Sequence, residues 1–399
     1  MKLHLAAAII VLGALLGGCA VAPRPSPAET DAQLQALMEK AQVPGLALAL
    51  IRDGRIVRTI AYGWADREQG VPLRTDTIMY GASLTKAAFA YMVLQLVDEG
   101  RLALDEPLPR LLDKPLDDYP DFAGLAADPR WRALTPRMLL SHTSGLLNWR
   151  WINADRRLDF KYAPGERYVY SGEGLQLLQL IVEERTGEPL QALMQRRVFD
   201  RFGMRHTSMV WRPDFAASAA NSYGKDGQPR GHAQRRRARA AGSMDTTLAD
   251  YAAFLVGVLR GEGLSAVARQ QMLSPQMAIV SPQQFPSHFP GETAVNRGIQ
   301  LAAGLGWIVY RSPRGPAFFK EGSDEGTNNF ALGFLDSRDG LLMLANSANA
   351  DQLFYPAVEL LMGPSCLPWF WMGYIPFDKP ELRAAGARDT PLGPDCRKP

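Results

Sequence analysis

A serine and a lysine three residues apart, Ser83 and Lys86, stand at the start of the apolar run Ala87 to Val97 in "MYGASLTKAAFAYMVLQLVDEG". On a helix that spacing puts both side chains on one face, within reach of each other. A serine at a helix N-terminus has free backbone N–H groups and the positive end of the helix dipole beside it, which suits a developing oxyanion. A lysine one turn later in apolar surroundings loses proton affinity, by as much as ~3–5 pKa units for a fully buried amine. It can then orient or deprotonate the hydroxyl, and the pair becomes an activated serine nucleophile. The spacing also occurs at Ser222-Tyr223-Gly224-Lys225. That copy sits in a glycine-rich loop with no apolar helix after it and is read as accidental.

Other chemistries lack support. The chain has no GxSxG, HExxH, CxxC, GxxxxGK or GxGxxG, and its five histidines are scattered. Serine elbow, metal, phosphate-loop and dinucleotide sites are therefore without a motif, and neither a metal nor an organic cofactor is expected. A net charge of +3 is too small to imply nucleic acid. The basic cluster "QRRRARA", around Arg235 to Arg239, has no interleaved aromatics. It reads as a solvated loop, or else as a contact for anionic lipid or cell-wall polymer.

The elements that must position Ser83 and Lys86 follow from the pattern around them. "GLALALIRDGRIVRTIAYGWAD" reads as a hairpin turning at Asp53-Gly54, and "NNFALGFLDSRDGLLMLANSA" as one turning at Asp339-Gly340, because Asp-Gly between β-rich runs is a strong hairpin signal. Before the second lies a strand, a turn at Ser312 to Gly315, and another strand ending near Lys320. Helices fill the middle: one opens at Thr135-Pro136, one runs into Gly187, and one begins with Thr247 and Asp250 in capping-box spacing and ends at Gly261. No βαβ alternation or internal repeat is visible. The expectation is an α+β domain over 31–362, with an antiparallel sheet built from both chain ends, flanking helices, and a mostly helical subdomain. A cleft between the two parts is the natural site.

The start of the chain is set aside as a targeting segment. A single early charge at Lys2, an apolar stretch to Leu16, and then "LGGCA" read as a secretory signal over 1–18, too short to span a bilayer. Leu16 to Cys19 resembles a bacterial lipobox, which makes Cys19 the lipidated first mature residue. The proline-rich 19–30 segment then serves as a tether. With Ala20 after the cysteine, the expected location is the periplasmic side of an outer membrane, if the organism has one. Two cysteines remain, Cys366 and Cys396, in a proline-rich tail over 363–399. In an exported protein they are expected to pair, the alternative being two free thiols in a loose tail.

The motifs from Met79 through Asn346 resemble the serine β-lactamase and penicillin-binding-protein superfamily, in its class C-like branch, which also holds DD-peptidases, D-aminopeptidases and esterases. "ALTPRMLLSHTSGL", "APGERYVYSGEGLQLL", "AAGSMDTTLADYAAFL" and "LANSANA" match its ordered segments. The resemblance implies a β-lactamase/transpeptidase-like fold, Ser83 as nucleophile, Lys86 as its partner and Tyr170 as the phenol that takes the serine proton. It sets Lys320-Glu321-Gly322 where the family has KTG or HxG, and gives the oxyanion the backbone N–H groups of Ser83 and Ser323. Without the motif order, Lys320 would read as an edge lysine that blocks aggregation.

Two positions depart from the family pattern. Gly172 replaces an asparagine that helps hold the substrate amide, and Glu321 replaces a threonine that helps bind a substrate carboxylate. If Glu321 faces the cleft, it opposes a carboxylate and suits an amine-bearing substrate. His142 belongs to a structural segment. Trp149 and Trp151 either line the cleft or pack. The expected activity is acyl transfer on a small ester or amide, or on a cell-wall peptide, with an esterase favoured over a β-lactamase, DD-peptidase or D-aminopeptidase. The rival of another class is a non-catalytic cell-wall-binding lipoprotein.

Overall fold

The computed structural model describes residues 25–380 and Cys396. The expected signal segment 1–18, Cys19 and the first part of the tether lie outside the described residues. Among the described residues no helix is long and apolar enough to cross a membrane.

Nine strands form one sheet: β1 (Gly45–Arg52), β2 (Arg55–Asp66), β3 (Val71–Pro72), β4 (Met277–Ala278), β5 (Ala302–Ala303), β6 (Ile308–Ser312), β7 (Gly315–Ser323), β8 (Asn328–Phe334) and β9 (Asp339–Ala345). Their order is β3-β2-β1-β9-β8-β7-β6-β5-β4, and every pairing is antiparallel. The two ends of the chain meet at its centre, with Leu46 opposite Ala345. The fold is α+β, with the sheet drawn from both ends as the sequence implies.

Side chains alternate across a strand, and here both faces are covered. Leu46, Leu48, Phe319 and Phe330 pack with α1 (Pro27–Lys40), α6 (Asp351–Met362) and α7 (Trp369–Met372). Ala47, Ala49, Phe318 and Ala331 pack with α2 (Leu84–Asp98) and α5 (Leu248–Arg260). The mostly helical middle adds α3 (Pro136–Leu140) and α4 (Gly172–Thr186) on the α2 side. Thirteen of the fifteen residues of α2 are buried, which is why its sequence is apolar all round rather than striped.

Local signals place most boundaries. Asp53 and Gly54 both have positive φ, 46° and 67°, the geometry a two-residue hairpin turn requires. The second hairpin departs from expectation. Its loop is Leu335 to Arg338, Arg338 takes a φ of 53°, and Asp339 already pairs with Phe334. The Asp339 carboxylate is used elsewhere: it accepts the Asp53 N–H at 3.1 Å and pairs with Arg52 and Arg314. Thr247 caps α5 through the Asp250 N–H at 3.1 Å. The Asp250 carboxylate in turn accepts from the His206 N–H at 2.7 Å and the Thr207 hydroxyl at 2.9 Å.

The boundary 31–362 cuts through packed structure at both ends. Helix α1 begins at Pro27, inside the expected tether, where Ser26 and Glu29 cap each other at 3.3 and 2.7 Å. Beyond Met362 the chain is not a loose tail, since Leu367, Trp369, Trp371 and Tyr374 are buried in the core. Cys366 and Cys396 form a disulfide with Cα atoms 5.6 Å apart.

Candidate active site

Ser83 is the N-cap residue of α2, and its side chain makes no capping bond, so the hydroxyl is left for other partners. The preceding Ala82 has a φ of 46°, a costly value for a residue with a Cβ that fixes the turn into the helix. The Ser83 N–H donates to no backbone carbonyl among the described residues, as expected at the start of a helix. Lys86, one turn on, is buried. Its Nζ donates to Ser83 Oγ at 3.0 Å and to the carbonyl of Ala241. Burial lowers its proton affinity, the nearby Tyr170 partly restores it, and Lys320 lowers it again.

Strand β7 supplies the opposite wall. Its pairing with β6 stops at Phe319, so from Lys320 onward that edge has no β6 partner. Lys320 pairs with Ala331 on the α2 side of the sheet, while Glu321 pairs with Phe330 on the other side. A Cβ added at Gly322 would lie 2.7 Å from the Gly81 carbonyl, 3.0 Å from Leu84 N and 3.1 Å from Ser83 N. The two backbones therefore touch at the Ser83 N–H. Ser323, exposed at the end of β7, follows opposite Asn328.

Tyr170 lies between the two lysines. Lys320 Nζ donates to its hydroxyl at 3.4 Å, and the ammoniums of Lys86 and Lys320 stand 5.0 and 5.2 Å from the ring centroid. Burial by itself raises the phenol pKa, but Lys320 and Lys86 together outweigh it and bring the pKa below its ordinary value. For Lys320 burial works against the ammonium, while Glu321 and Tyr170 outweigh burial and raise its pKa. His142 stacks on Tyr170, with centroids 4.3 Å apart, and its Nδ1 accepts the Ser171 N–H at 3.1 Å. Burial and the two lysines hold its pKa well below the ordinary value. The ring is thus a neutral support.

Lys320 is 2% exposed, so the alternative of an aggregation-blocking edge lysine does not apply. Two sequence expectations need correction. Glu321 does not face an open cleft: it is equally buried, and its Oε1 accepts from Lys320 Nζ at 2.8 Å and Gln284 Nε2 at 2.7 Å. The strand's alternation turns it toward the core layer that holds Tyr168 and Tyr374, whose phenol pKa values its charge helps raise. In the basic cluster Arg236, Arg237 and Arg239 are exposed, as a solvated loop requires, but Arg235 is partly buried and held in place. Its guanidinium lies over the Tyr80 ring, 3.3 Å from the buried carboxylate of Asp245 and 3.9 Å from Asp324.

Gly172 has the Asn148 and Trp149 loop pressed against it. An added Cβ would sit 2.7 Å from Trp149 Cη2 and 3.0 Å from the Asn148 carbonyl. Trp149 stacks on Trp151 at 4.8 Å, and both line a cavity of about 570 Å³. Ser83, Lys86, Tyr170, Lys320 and Gly322 are thus brought together, with Gly172 and Trp149 beside them and Glu321 behind. The second SxxK is not a pair, since Lys225 bonds Asp351 and Ser222 bonds the Gly231 carbonyl. Sequence reasoning missed Gln284, Phe285 and Ser287. Phe285 packs edge-on to Tyr170 at 4.9 Å and Ser287 Oγ accepts the Tyr170 N–H at 2.8 Å. Nothing in their spacing signals this. Among the described residues no cluster of His, Cys, Asp and Glu could hold a metal ion.

Comparison with known proteins places this geometry in context. The sequence profile of the family described as Beta-lactamase matches residues 30–358. Esterase EstB of Burkholderia gladioli is 36% identical over 202 residues, covering 44% of this chain and 49% of that protein. Penicillin-binding protein 4* of Bacillus subtilis (strain 168) is 25% identical over 382 residues, covering 88% of this chain and 77% of that protein. The chain spans about half the length of the first curated relatives it matches. The solved structure of the octameric penicillin-binding protein homologue from Pyrococcus abyssi superposes with a TM-score of 0.67 at 20% identity, covering 85% of this chain and 78% of that one. At that identity the likeness is one of fold, the β-lactamase/transpeptidase-like fold.

Proposed function

For a chain that belongs to the Beta-lactamase family, we propose the activity of a serine hydrolase that works through an acyl-enzyme and favours esters. The observation that carries this reading is Lys86 Nζ 3.0 Å from Ser83 Oγ, with Tyr170 held between two ammoniums. Those charges favour the phenolate, the form able to accept a proton.

Ser83 Oγ bonds to the ester carbonyl carbon as its proton passes to Tyr170 Oη. The carbonyl oxygen takes the electron pair and faces the N–H groups of Ser83 and Ser323. Collapse breaks the ester C–O bond, and Tyr170 returns the proton to the departing alkoxide. Water then attacks the acyl-serine, losing a proton to Tyr170. The second collapse breaks the acyl C–Oγ bond as Tyr170 hands that proton to Ser83 Oγ, releasing the acid and restoring the serine hydroxyl and the phenolate. Lys86 and Lys320 remain cationic neighbours that stabilise the phenolate, and Lys86 also orients Ser83.

The ester preference is supported by the two departures from the family pattern. Trp149 presses on Gly172, where the resemblance expects an amide-binding asparagine, and Glu321 is committed to Lys320 and Gln284, where it expects a carboxylate-binding threonine. Groups that would recognise a peptide or β-lactam are lost, while the groups that attack a carbonyl are kept. The likeness to Esterase EstB points the same way.

The test is intact-protein mass spectrometry and turnover with a fluorophosphonate, p-nitrophenyl acetate and a penicillin. Ser83-dependent adducts and faster turnover of the ester than of the penicillin are expected, with Ser83→Ala inert but equally stable. A folded protein that forms no adduct with any probe would overturn the reading in favour of a binding lipoprotein. We further propose that the enzyme is held at a membrane surface by lipid on Cys19. Cys19→Ala should then move it from the membrane fraction to the soluble fraction.

A further inference from the structure

Exposed aromatic side chains concentrate at one place. Of the four large ones among the described residues, Trp64, Trp151, Phe285 and Phe289, three belong to the two segments that flank Tyr170. Phe285 touches the Tyr170 ring, with Phe289 four residues further along its segment. Trp151 stacks on Trp149, and Trp149 abuts Gly172, two residues from Tyr170. The two indoles are nearly parallel, with an interplanar angle of 10°. Trp149 is fixed between Gly172 and Trp151, whereas Trp151 is 56% exposed on the wall of the 570 Å³ cavity. An exposed indole held parallel to a fixed one is a ready stacking surface. Flat apolar groups gain most from it, because offset stacking adds to the burial of area.

Charged groups beside the indoles are engaged with each other or with backbone, while Arg237 and Arg239 also line the cavity. Arg150 grips Glu173 through two nitrogens at 2.7 and 2.8 Å, and Glu183 Oε1 accepts the Leu190 N–H at 2.7 Å. We propose that Trp151, backed by Trp149, is a specificity-determining residue that selects esters whose acyl part carries a flat aromatic group. The inference rests on the ester-hydrolase reading for its substrate class. Gly172 is the enabling position, since any side chain there would displace the Trp149 ring that supports the surface.

The experiment compares the full chain with its Trp151→Ala variant on p-nitrophenyl 2-naphthoate and p-nitrophenyl acetate. Trp151 is exposed, so the variant should fold normally. Its kcat/KM on the naphthoate should fall about tenfold, through KM, as expected for one lost stacking face. The acetate should change less than about twofold, being too small to reach the indole. Equal losses on both esters, or no loss on the naphthoate, would overturn the proposal. Calorimetric titration of Ser83→Ala with the inert amide N-methyl-2-naphthamide separates the two readings. Binding that weakens with Trp151→Ala supports this inference even if no ester is turned over. Ester turnover with no Trp151-dependent binding removes this inference and leaves the hydrolase standing.

Discussion

Replacing Gly322 by alanine tests whether the contact between β7 and the start of α2 sets the oxyanion geometry. Gly322 does not have a positive φ, so its backbone is open to any residue and only proximity demands glycine. The added methyl would lie 2.7 Å from the Gly81 carbonyl and 3.1 Å from Ser83 N, whereas ordinary contact begins at 3.4 Å. Relief means parting strand and helix by about 0.7 Å, the difference between 3.4 and 2.7 Å. Both neighbours are backbone atoms of the hydrogen-bonded turn into α2 and cannot swing aside. A donor moved by that much turns a hydrogen bond of ~2.9 Å into a contact of ~3.6 Å, which no longer counts as one. Losing one oxyanion donor costs ~100 to 1000-fold in kcat, and overpacking costs about 1–3 kcal/mol in stability. Steady-state kinetics on an activated ester, with urea denaturation in parallel, measures both. Gly124 and Gly298, which have open space around them and no positive φ, are the controls, and alanine there should leave kcat unchanged. Retention of kcat within about threefold in a folded Gly322→Ala protein would refute the assignment of the Ser83 N–H to the oxyanion.

Lys320→Gln removes the larger of the two charges that lower the Tyr170 pKa. The phenol pKa then rises, and because catalysis needs the phenolate, the acid limb of the pH profile of kcat/KM should move to higher pH, with activity at neutral pH down about 100-fold. An unmoved limb would exclude Tyr170 as the base. Arg235→Ala leaves Asp245, which is fully buried, with only His232 at 3.1 Å. Stability by urea denaturation should fall by about 2 kcal/mol, and an unchanged midpoint would show that the Arg235 clamp carries nothing. Cys366→Ser with Cys396→Ser opens a loop of 30 residues' separation, for which about 3–4 kcal/mol should be lost. A denaturation midpoint equal to wild type would show the tail to be held by packing alone.

Much of the site was legible because its signals are local. The Ser83 and Lys86 spacing, the apolar run behind them and the Asp53-Gly54 turn each follow from a few neighbouring residues. What joins Tyr170 to Lys320 is the meeting of distant segments at the end of β7, and no periodicity encodes it; only the ordered resemblance connected them. Glu321 was misread as facing the cleft because one conspicuous charge in a strand gives no facing until the register with Phe330 is known. Arg235, alone among the arginines of its exposed cluster, was misread for a related reason. A run of arginines looks solvated, and its partners Asp245 and Asp324 come from separate stretches of chain. The Asp339-Gly340 turn was displaced because the Asp339 carboxylate serves the neighbouring hairpin. Gln284 and Phe285 had no signal, since a loop residue that packs behind a site looks like any other.

The burial of α2 has a consequence for how such a site can change over time. A helix with no solvent face exchanges its amide hydrogens only when the whole domain opens, so the wall that carries Ser83 is tied to global stability. Segments 148–152, 232–240 and 283–289 are loops whose exposed positions, Trp151, Arg236 and Phe285 among them, tolerate substitution more readily than α2 does. Residues that attack a carbonyl and residues that choose which carbonyl is presented thus lie in regions of very different tolerance. A lineage built on this plan can acquire new substrates by loop editing while the reaction itself stays fixed.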